Sequence, residues 1–284
     1  MPSMKAIKRR IASVQNTQQI MKAMNLVAAS KVQKNKARLE AVKPLLNAAN
    51  DFISNGLSGV ADFDTLESEF YKSRSVSNTA YIVLSGERGL CGSFNANVLK
   101  EAFKHMNDKS EHVIPVGAKS KEFFVRRKKN IVSGPDYVGV IEKASYDVAA
   151  EIVDQIIGLY TNNKVDEVYI VHTEFINLLS QNTKVTKLLP FDVPIQESNE
   201  EIIYEPDVET YLRKSIPIHL AMFVYGTMIE SSVCEQASRM TSMDSATRNA
   251  GELVDKLKLQ FNRQRQGAIT QEISEIVGGA NANS

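Results

Sequence analysis

The chain has 284 residues, of which 43% are hydrophobic and 24% charged, and its formal net charge is +1. This composition excludes a disordered chain and predicts a folded protein with one substantial core, or a core plus an extended element. It has no uninterrupted run of about 18 apolar residues and no apolar stretch in its basic N-terminus, so neither a membrane-spanning helix nor a secretory signal is expected.

The first 43 residues form a segment of one charge sign, which we call the basic arm. It contains ten Lys or Arg residues and a single acid, Glu40. Such a segment is expected to contact an acidic partner. The basic residues are Lys5, Lys8, Arg9, Arg10, Lys22, Lys31, Lys34, Lys36, Arg38 and Lys43.

The same segment carries a heptad seam, in which apolar or small residues recur at alternating steps of three and four. This spacing over about seven repeats predicts a long coiled-coil helix, and Pro44 predicts a bend in it. Gln18, Asn25 and Asn35 interrupt the seam and are expected to fix its register. The other seam positions are Met4, Ile7, Ile11, Val14, Met21, Ala28, Val32, Leu39, Val42, Leu46, Ala49 and Ile53.

The central part of the chain changes character. Residues 79–84 and 167–171 are β-branched and aromatic runs, whereas residues 95–106 and 146–160 have helical spacing. Strands that alternate with helices predict an α/β domain with a mainly parallel sheet.

The C-terminal part repeats the helical pattern without a proline after Pro217, and Gly278 and Gly279 are expected to end it. The opposite terminus is a partner of matching length for its apolar stripe, so the two ends are predicted to pair as an antiparallel, left-handed coiled coil. The predicted divisions are an N-terminal helix at 1–58, a linker at 59–76, an α/β domain at 77–205 and a C-terminal helix at 206–284.

A glycine-rich segment is the strongest candidate for an active site. Residues 85–93, SGERGLCGS, which we call the glycine loop, join a predicted strand to a predicted helix, where phosphates often bind. The loop matches neither GxGxxG nor a Walker A sequence, so a tight turn is the alternative. Cys91 is either a nucleophile or a buried structural thiol, and Cys91 and Cys234 are expected to be free thiols of a reducing compartment.

No other residue pattern indicates catalysis or metal binding. The four histidines, His105, His112, His172 and His219, are scattered, and no carboxylate pair is set apart by its spacing. No catalytic, cofactor-binding or metal-binding residue is therefore assigned. Nucleic-acid binding by the basic arm stays open on charge alone, although no aromatic interleaving favours it.

Four segments together resemble the gamma subunit of the bacterial F-type ATP synthase. They occur in the order that the family shows and extend over most of the chain. The segments are IKRRIASVQNT at 7–17 with Met24 and AASK at 28–31, RGLCG at 88–92, YIV at 169–171 with FIN at 175–177, and ITQEISEIVGGA at 269–280.

The resemblance implies a central-stalk rotor subunit that is not itself an enzyme and binds neither cofactor nor nucleic acid. Its coiled coil would stand inside a ring of alpha and beta subunits, and its central α/β, Rossmann-like domain would contact epsilon and the c ring. The chain would transmit torque in a proton- or sodium-translocating enzyme at the cytoplasmic face of the bacterial cell membrane, as a peripheral protein. The alternatives are an α/β enzyme that uses the glycine loop and a coiled-coil scaffold with a basic binding arm.

The resemblance also assigns roles to individual residues. The basic arm, through Lys8, Arg9, Arg10 and Lys22, would contact acidic loops of beta. Tyr204 and Glu205, which we call the foot, would contact the c ring or epsilon. The positions expected to contact beta during rotation are Met24, Arg239, Arg265, Gln266 and Thr270.

Overall fold

The computed structural model describes residues 3–58, 70–71, 74–106, 110–191 and 202–282. Two long helices form the two ends of this described chain, with a mixed α/β region between them. In chain order the elements are α1 Met4–Ser58, β1 Asn78–Leu84, α2 Phe94–His105, β2 Ser110–Val116, α3 Ala118–Arg126, β3 Asn130–Ile131, a 3-10 helix Ile141–Lys143, α4 Tyr146–Thr161, β4 Glu167–Phe175, β5 Gln181–Leu189 and α5 Val208–Ala282.

The chain divides into two compact units. The first combines Met1–Ala28 with Met240–Ser284, and the second is Ala29–Arg239. Both boundaries fall inside a long helix, so the units do not follow the divisions predicted from the sequence, which rest on composition and pattern alone.

In the first unit, α1 and α5 pair antiparallel in a heptad register. The side-chain amide of Gln18 donates to the carbonyl of Thr247 at 3.2 Å, and that of Asn25 donates to the carbonyl of Met240 at 2.8 Å. The two donors are seven residues apart in one direction and the two acceptors seven apart in the other. The polar seam residues therefore fix register as the sequence predicted.

The last part of α5 extends past the start of α1, so the described residues of α1 do not cover it. Counted at the same spacing from the Gln18–Thr247 bond, the first residue of α1, Met4, corresponds to Phe261, so the register places residues 262–277 of α5 beyond the start of α1. We call these residues the tip. Its Ile269, Ile273 and Ile276 are 47%, 57% and 71% exposed. The expectation that α1 buries the whole C-terminal stripe is therefore wrong for the tip.

Helix α5 lies within the predicted segment 206–284, but it continues past the glycines that were expected to end it. It starts at Val208, because the Asp207 carboxylate accepts hydrogen bonds from the backbone N–H and the hydroxyl of Thr210 and caps the first turn. It continues through Pro217 and past Gly278 to Ala282. Among the described residues α5 alone is long and apolar enough to cross a membrane, but 61% of its apolar window is buried in the protein, as in a core helix.

The second unit contains a five-stranded sheet with the order β3-β2-β1-β4-β5. The first four strands are parallel, and β5 runs antiparallel to β4. The mainly parallel sheet predicted from the alternation of strands and helices is confirmed.

Helices cover both faces of this sheet. Tyr81 and Val83 of β1 point towards α2 and α3, whereas Ile82 and Leu84 point towards α4 and the unit's parts of α1 and α5. The connection that follows β1 therefore runs along one face of the sheet, and the connection that precedes β4 runs along the other. Neighbouring strands β1 and β4 define the topological switch point, outside whose carboxyl ends doubly wound folds bind ligands.

Helices α1 and α5 also pack antiparallel within the second unit. The third polar seam residue, Asn35, donates to the hydroxyl of Ser232 at 2.9 Å. Gly226 permits the close approach of Leu46, since a Cβ at Gly226 would lie 2.6 Å from a Leu46 methyl carbon. Helix α1 runs without interruption through Pro44.

Most of the predicted linker, residues 59–69 and 72–73, lies outside the described residues. Its described part is packed against the sheet domain. Phe70 is buried and stacks on Tyr160 with ring centroids 6.4 Å apart, and its carbonyl accepts a hydrogen bond from the N–H of Phe191.

A buried histidine on β4 makes the stability of the fold depend on pH. Burial, and to a lesser extent the charge of Lys184, lower the pKa of His172 from 6.5 to about 4, whereas Glu174 acts in the opposite direction. Between these pH values the unfolded chain binds a proton that the folded chain does not, so stability falls as pH falls from 6.5 to 4. The expected loss from this group is about 3 kcal/mol.

This loss can be measured by urea unfolding of the purified chain at a series of pH values. His172→Gln stays neutral and keeps a partner for the Thr186 hydroxyl, which lies 3.0 Å from the ring Nε2. The difference between the two pH profiles isolates the histidine. An NMR titration in which the folded ring protonates near pH 6.5 would contradict the prediction.

Candidate functional site

The glycine loop leaves the carboxyl end of β1 and leads into α2, at the switch point of the sheet. Its backbone turns through the left-handed region at Leu90 and Gly92, with φ of 60° and 56°. Asn95 of α2 holds it from one side: its Oδ1 accepts from the N–H of Gly86 at 2.8 Å, and its Nδ2 donates to the carbonyl of Arg88 at 3.1 Å.

Helix α5 holds the loop from the other side. The Ser238 hydroxyl donates to the carbonyl of Cys91 at 2.6 Å, and the Arg239 guanidinium donates to the carbonyls of Arg88 and Gly89 at 3.5 and 3.3 Å. Arg239 also pairs with Glu235, one turn earlier in α5, at 2.5 Å. The three bonds from Ser238 and Arg239 all go to backbone carbonyls, so α5 is tied directly to the backbone of the glycine loop.

The end of β4, the other strand of the switch point, is held by the same helix. The backbone N–H of Phe175 donates to Glu230 Oε1 at 3.0 Å. The Cys234 thiol lies between these polar contacts, buried in a cluster with Cys91 and Phe94. A run of α5 from Glu230 to Arg239 thus closes the crevice outside β1 and β4.

The chemistry of this crevice disfavours a nucleophile. Burial raises the pKa of the Cys91 thiol and Glu235 raises it further, whereas Arg239 and hydrogen bonds act in the opposite direction. A thiol with a raised pKa is a poor source of thiolate at neutral pH. In the described part of the chain, no group of three or more His, Cys, Asp or Glu residues could hold a metal ion.

The other candidate residues of the resemblance lie in the first unit or at the start of α5. Arg265, Gln266 and Thr270 are exposed on the tip, and Met24 is half-buried in the paired segment. Of the predicted contact residues, Arg239 is set apart by being only 7% exposed. The four basic-arm residues Lys8, Arg9, Arg10 and Lys22 are exposed and form no ion pair with any described residue.

At the foot, the Tyr204 hydroxyl donates to the carbonyl of Gly56 at 2.5 Å, and Glu205 is exposed. Glu205 borders an apolar groove between α1 and the first turns of α5, whose lining includes Phe52, Tyr211 and Ile218.

Comparison with known proteins identifies the family to which this chain belongs. A family model described as ATP synthase matches residues 3–282. The ATP synthase gamma chain of Desulforamulus reducens is 41% identical over 288 residues, which cover 99% of each chain. The chain belongs to the ATP synthase gamma chain family.

Other relatives and solved structures agree with this membership. A gamma chain of Acetobacterium woodii, named as sodium ion specific, is 38% identical over 298 residues and 97% of each chain. The central stalk and c-ring structure of the Tetrahymena thermophila mitochondrial ATP synthase contains a chain that is 26% identical, with a TM-score of 0.61. The match covers 80% of the present gamma chain and 99% of the Tetrahymena chain.

The sequence did not reveal the partners of the glycine loop. Glu230, Glu235 and Ser238 were not singled out, and Arg239 was expected to contact beta. One signal was available: residues 231–237, SSVCEQA, are small or polar on every side of a helix, which is unusual for a coiled-coil surface. All seven are buried in the structure.

Proposed function

We propose that this gamma chain is the central-stalk rotor subunit of a proton- or sodium-translocating F-type ATP synthase. It transmits torque between the membrane c ring and the catalytic ring of alpha and beta subunits. The tip of α5 carries this proposal, because its three exposed isoleucines at helical spacing are not covered by the described part of α1 and need an apolar partner. The similarity to a chain of the Tetrahymena central stalk and to the sodium-specific Acetobacterium chain supports it.

The subunit itself is non-catalytic and holds no cofactor in this proposal. The contacts of α5 with the glycine loop support this, since Ser238 bonds to the loop backbone and the Glu235–Arg239 pair is buried beside it. Nucleotide chemistry then belongs to the beta subunits. The rival, an enzyme that uses the glycine loop, requires α5 to leave the crevice.

The family resemblance supplies the proposed contact of each residue with a partner. Met24, Arg265, Gln266 and Thr270 contact beta, and the basic arm contacts acidic beta loops through Lys8, Arg9, Arg10 and Lys22. Tyr204 and Glu205 contact the c ring or epsilon. The protein is a peripheral membrane protein through the complex, at the cytoplasmic face of the bacterial membrane, and nucleic acid is not a partner.

Purification of a tagged chain from detergent-solubilised membranes tests the proposal. Alpha and beta chains should arrive in excess over the gamma chain, with ATPase activity that the gamma chain alone lacks. A chain that arrives alone, or that hydrolyses nucleotide unaided, would refute the rotor function. An enzyme that uses the glycine loop would then be favoured.

Arg265→Ala is expected to lower ATP synthesis by the assembled enzyme about tenfold, the usual effect of removing a central interface arginine. Synthesis is measured in inverted vesicles energised by respiration. Arg263→Ala is the matched control, because Arg263 is equally exposed and lies two residues away on a different side of α5. Equal synthesis by the two variants would remove Arg265 from the proposed contact.

A further inference from the structure

The contact between α5 and the glycine loop combines charge with nearly complete burial. The side chain of Glu235 is 0% exposed and that of Arg239 is 8% exposed. Burial raises the pKa of Glu235, against the opposing effect of the Arg239 hydrogen bond and charge. Taking two charges out of water is unfavourable, and well-packed apolar residues usually stabilise a core at least as well. Stability alone therefore gives little reason for this pair.

The interactions of this pair depend on direction, whereas apolar packing does not. The core around α5 contacts the sheet through side chains such as Val224 and Met228, and apolar contact constrains rotation of a helix about its axis only weakly. Hydrogen bonds to fixed carbonyls depend on angle as well as distance. The bonds from Ser238 and Arg239 to the loop therefore set the rotational position of α5 against the sheet.

The loop is shaped to receive these side chains. A Cβ on Gly86 would lie 2.8 Å from the carboxyl carbon of Glu235, so the backbone approaches this carboxylate as closely as glycine allows. Asn95 fixes the same loop to α2, and Glu230 adds a bond to the end of β4. The ends of two neighbouring strands are thus tied to three consecutive turns of one helix.

We propose that Glu235, Ser238 and Arg239, seated on the glycine loop, are the positioning residues through which torque passes between the sheet and α5. We call these contacts the loop joint. The inference rests on the proposed rotor function and goes beyond it, because it assigns Arg239 an internal role in place of a contact with beta.

The test uses the whole ATP synthase in membrane vesicles. Arg239→Gln removes one charge and the bonds to Arg88 and Gly89. The matched control is the double variant Asp244→Asn/Arg248→Gln, an i,i+4 pair in the same helix with a 3.2 Å contact but with side chains 59% and 71% exposed. A voltage-sensitive dye reports the potential formed per ATP hydrolysed, whichever ion is pumped.

Arg239→Gln is expected to lose most of the potential formed per ATP hydrolysed, and the control to match the wild type. Hydrogen exchange adds a readout specific to the loop joint: amides of residues 86–92 should exchange about tenfold faster or more in Arg239→Gln and remain unchanged in the control. Faster loop exchange with a normal potential per ATP would overturn the inference.

Two further variants keep the test decisive if Arg239→Gln fails to assemble. Glu235→Gln/Arg239→Gln leaves no unpaired buried charge, and Gly86→Ala keeps both charges while displacing Glu235 from the loop side. Reduced potential per ATP in either supports the loop joint, and normal values in both exclude it. If even the wild-type chain brings no alpha and beta subunits, the rotor function fails and the loop joint is not the cause.

Discussion

Gly117→Ala is expected to destabilise the gamma chain by about 3–5 kcal/mol, because two separate costs fall on one position. Gly117 has φ of 100°, a conformation that alanine rarely adopts, and an added Cβ would lie 2.2 Å from the carbonyl oxygen of Ser85. Ser85 cannot move away easily, since its N–H donates to Val116 at 2.9 Å and its hydroxyl accepts from Ser120 at 2.7 Å.

Two other glycines provide matched controls in urea unfolding. Gly139 has φ of 82° with nothing within 4 Å of an added Cβ, so Gly139→Ala should show the backbone cost alone, about 1–2 kcal/mol. Gly158 lies in α4 with equally open space, and Gly158→Ala should stabilise the chain by about 0.5–1 kcal/mol. If Gly117→Ala cost no more than Gly139→Ala, the close approach to Ser85 would be wrong.

The glycine variants also test the loop joint. Gly117 and Ser85, the first residue of the glycine loop, lie together at the carboxyl ends of β2 and β1. A displaced Ser85 carbonyl would shift Gly86, where an added Cβ would lie 2.8 Å from the carboxyl carbon of Glu235. Gly117→Ala should therefore also speed hydrogen exchange in the loop, whereas Gly139→Ala should leave it unchanged.

The paired helices were predictable because their cause is local and periodic. Apolar residues at steps of three and four define a seam whatever lies beside it, and Gln18 and Asn25 could be identified as register residues from that seam alone. The alternation of strands and helices likewise specifies a parallel sheet. The family resemblance then implied the partner subunits, which the spacing of apolar residues cannot identify.

The limits of α5 were not predictable from Pro217 and the two glycines. A proline interrupts an isolated helix, but the cap from Asp207 and burial of Leu212 and Ile216 against the core outweigh that local preference. Gly278 marks only a common place for a helix to end. Tertiary packing decides where α5 begins, and a sequence pattern does not report it.

The loop joint could not be predicted from the sequence for a related reason. Glu235 and Arg239 have the i,i+4 spacing of an ordinary surface pair, like Asp244 and Arg248 further along the same helix. The glycine loop has the composition of a phosphate-binding turn, and nothing within it indicates that α5 occupies the site. Only the fold brings residues 150 positions apart in sequence into contact.

Glu235→Leu/Arg239→Met should give a chain that is as stable as the wild type yet poorly coupled. Arg239→Ala alone leaves Glu235 buried without its partner and should cost about 3–5 kcal/mol, whereas replacing both charges by apolar side chains of similar size should cost less than about 1 kcal/mol. The released carbonyls of Arg88 and Gly89 belong to exposed residues and can bind water instead.

This double variant separates the two roles that a buried ion pair can have. If the pair serves stability, the apolar chain should both fold and couple, since urea unfolding and potential per ATP would recover together. If it serves position, unfolding should be normal while the potential per ATP stays low, because the introduced leucine and methionine side chains pack without fixing the angle of α5. We expect normal unfolding with a low potential per ATP. The hydrogen bonds to the glycine loop fix the rotational position of α5, and no apolar contact replaces them.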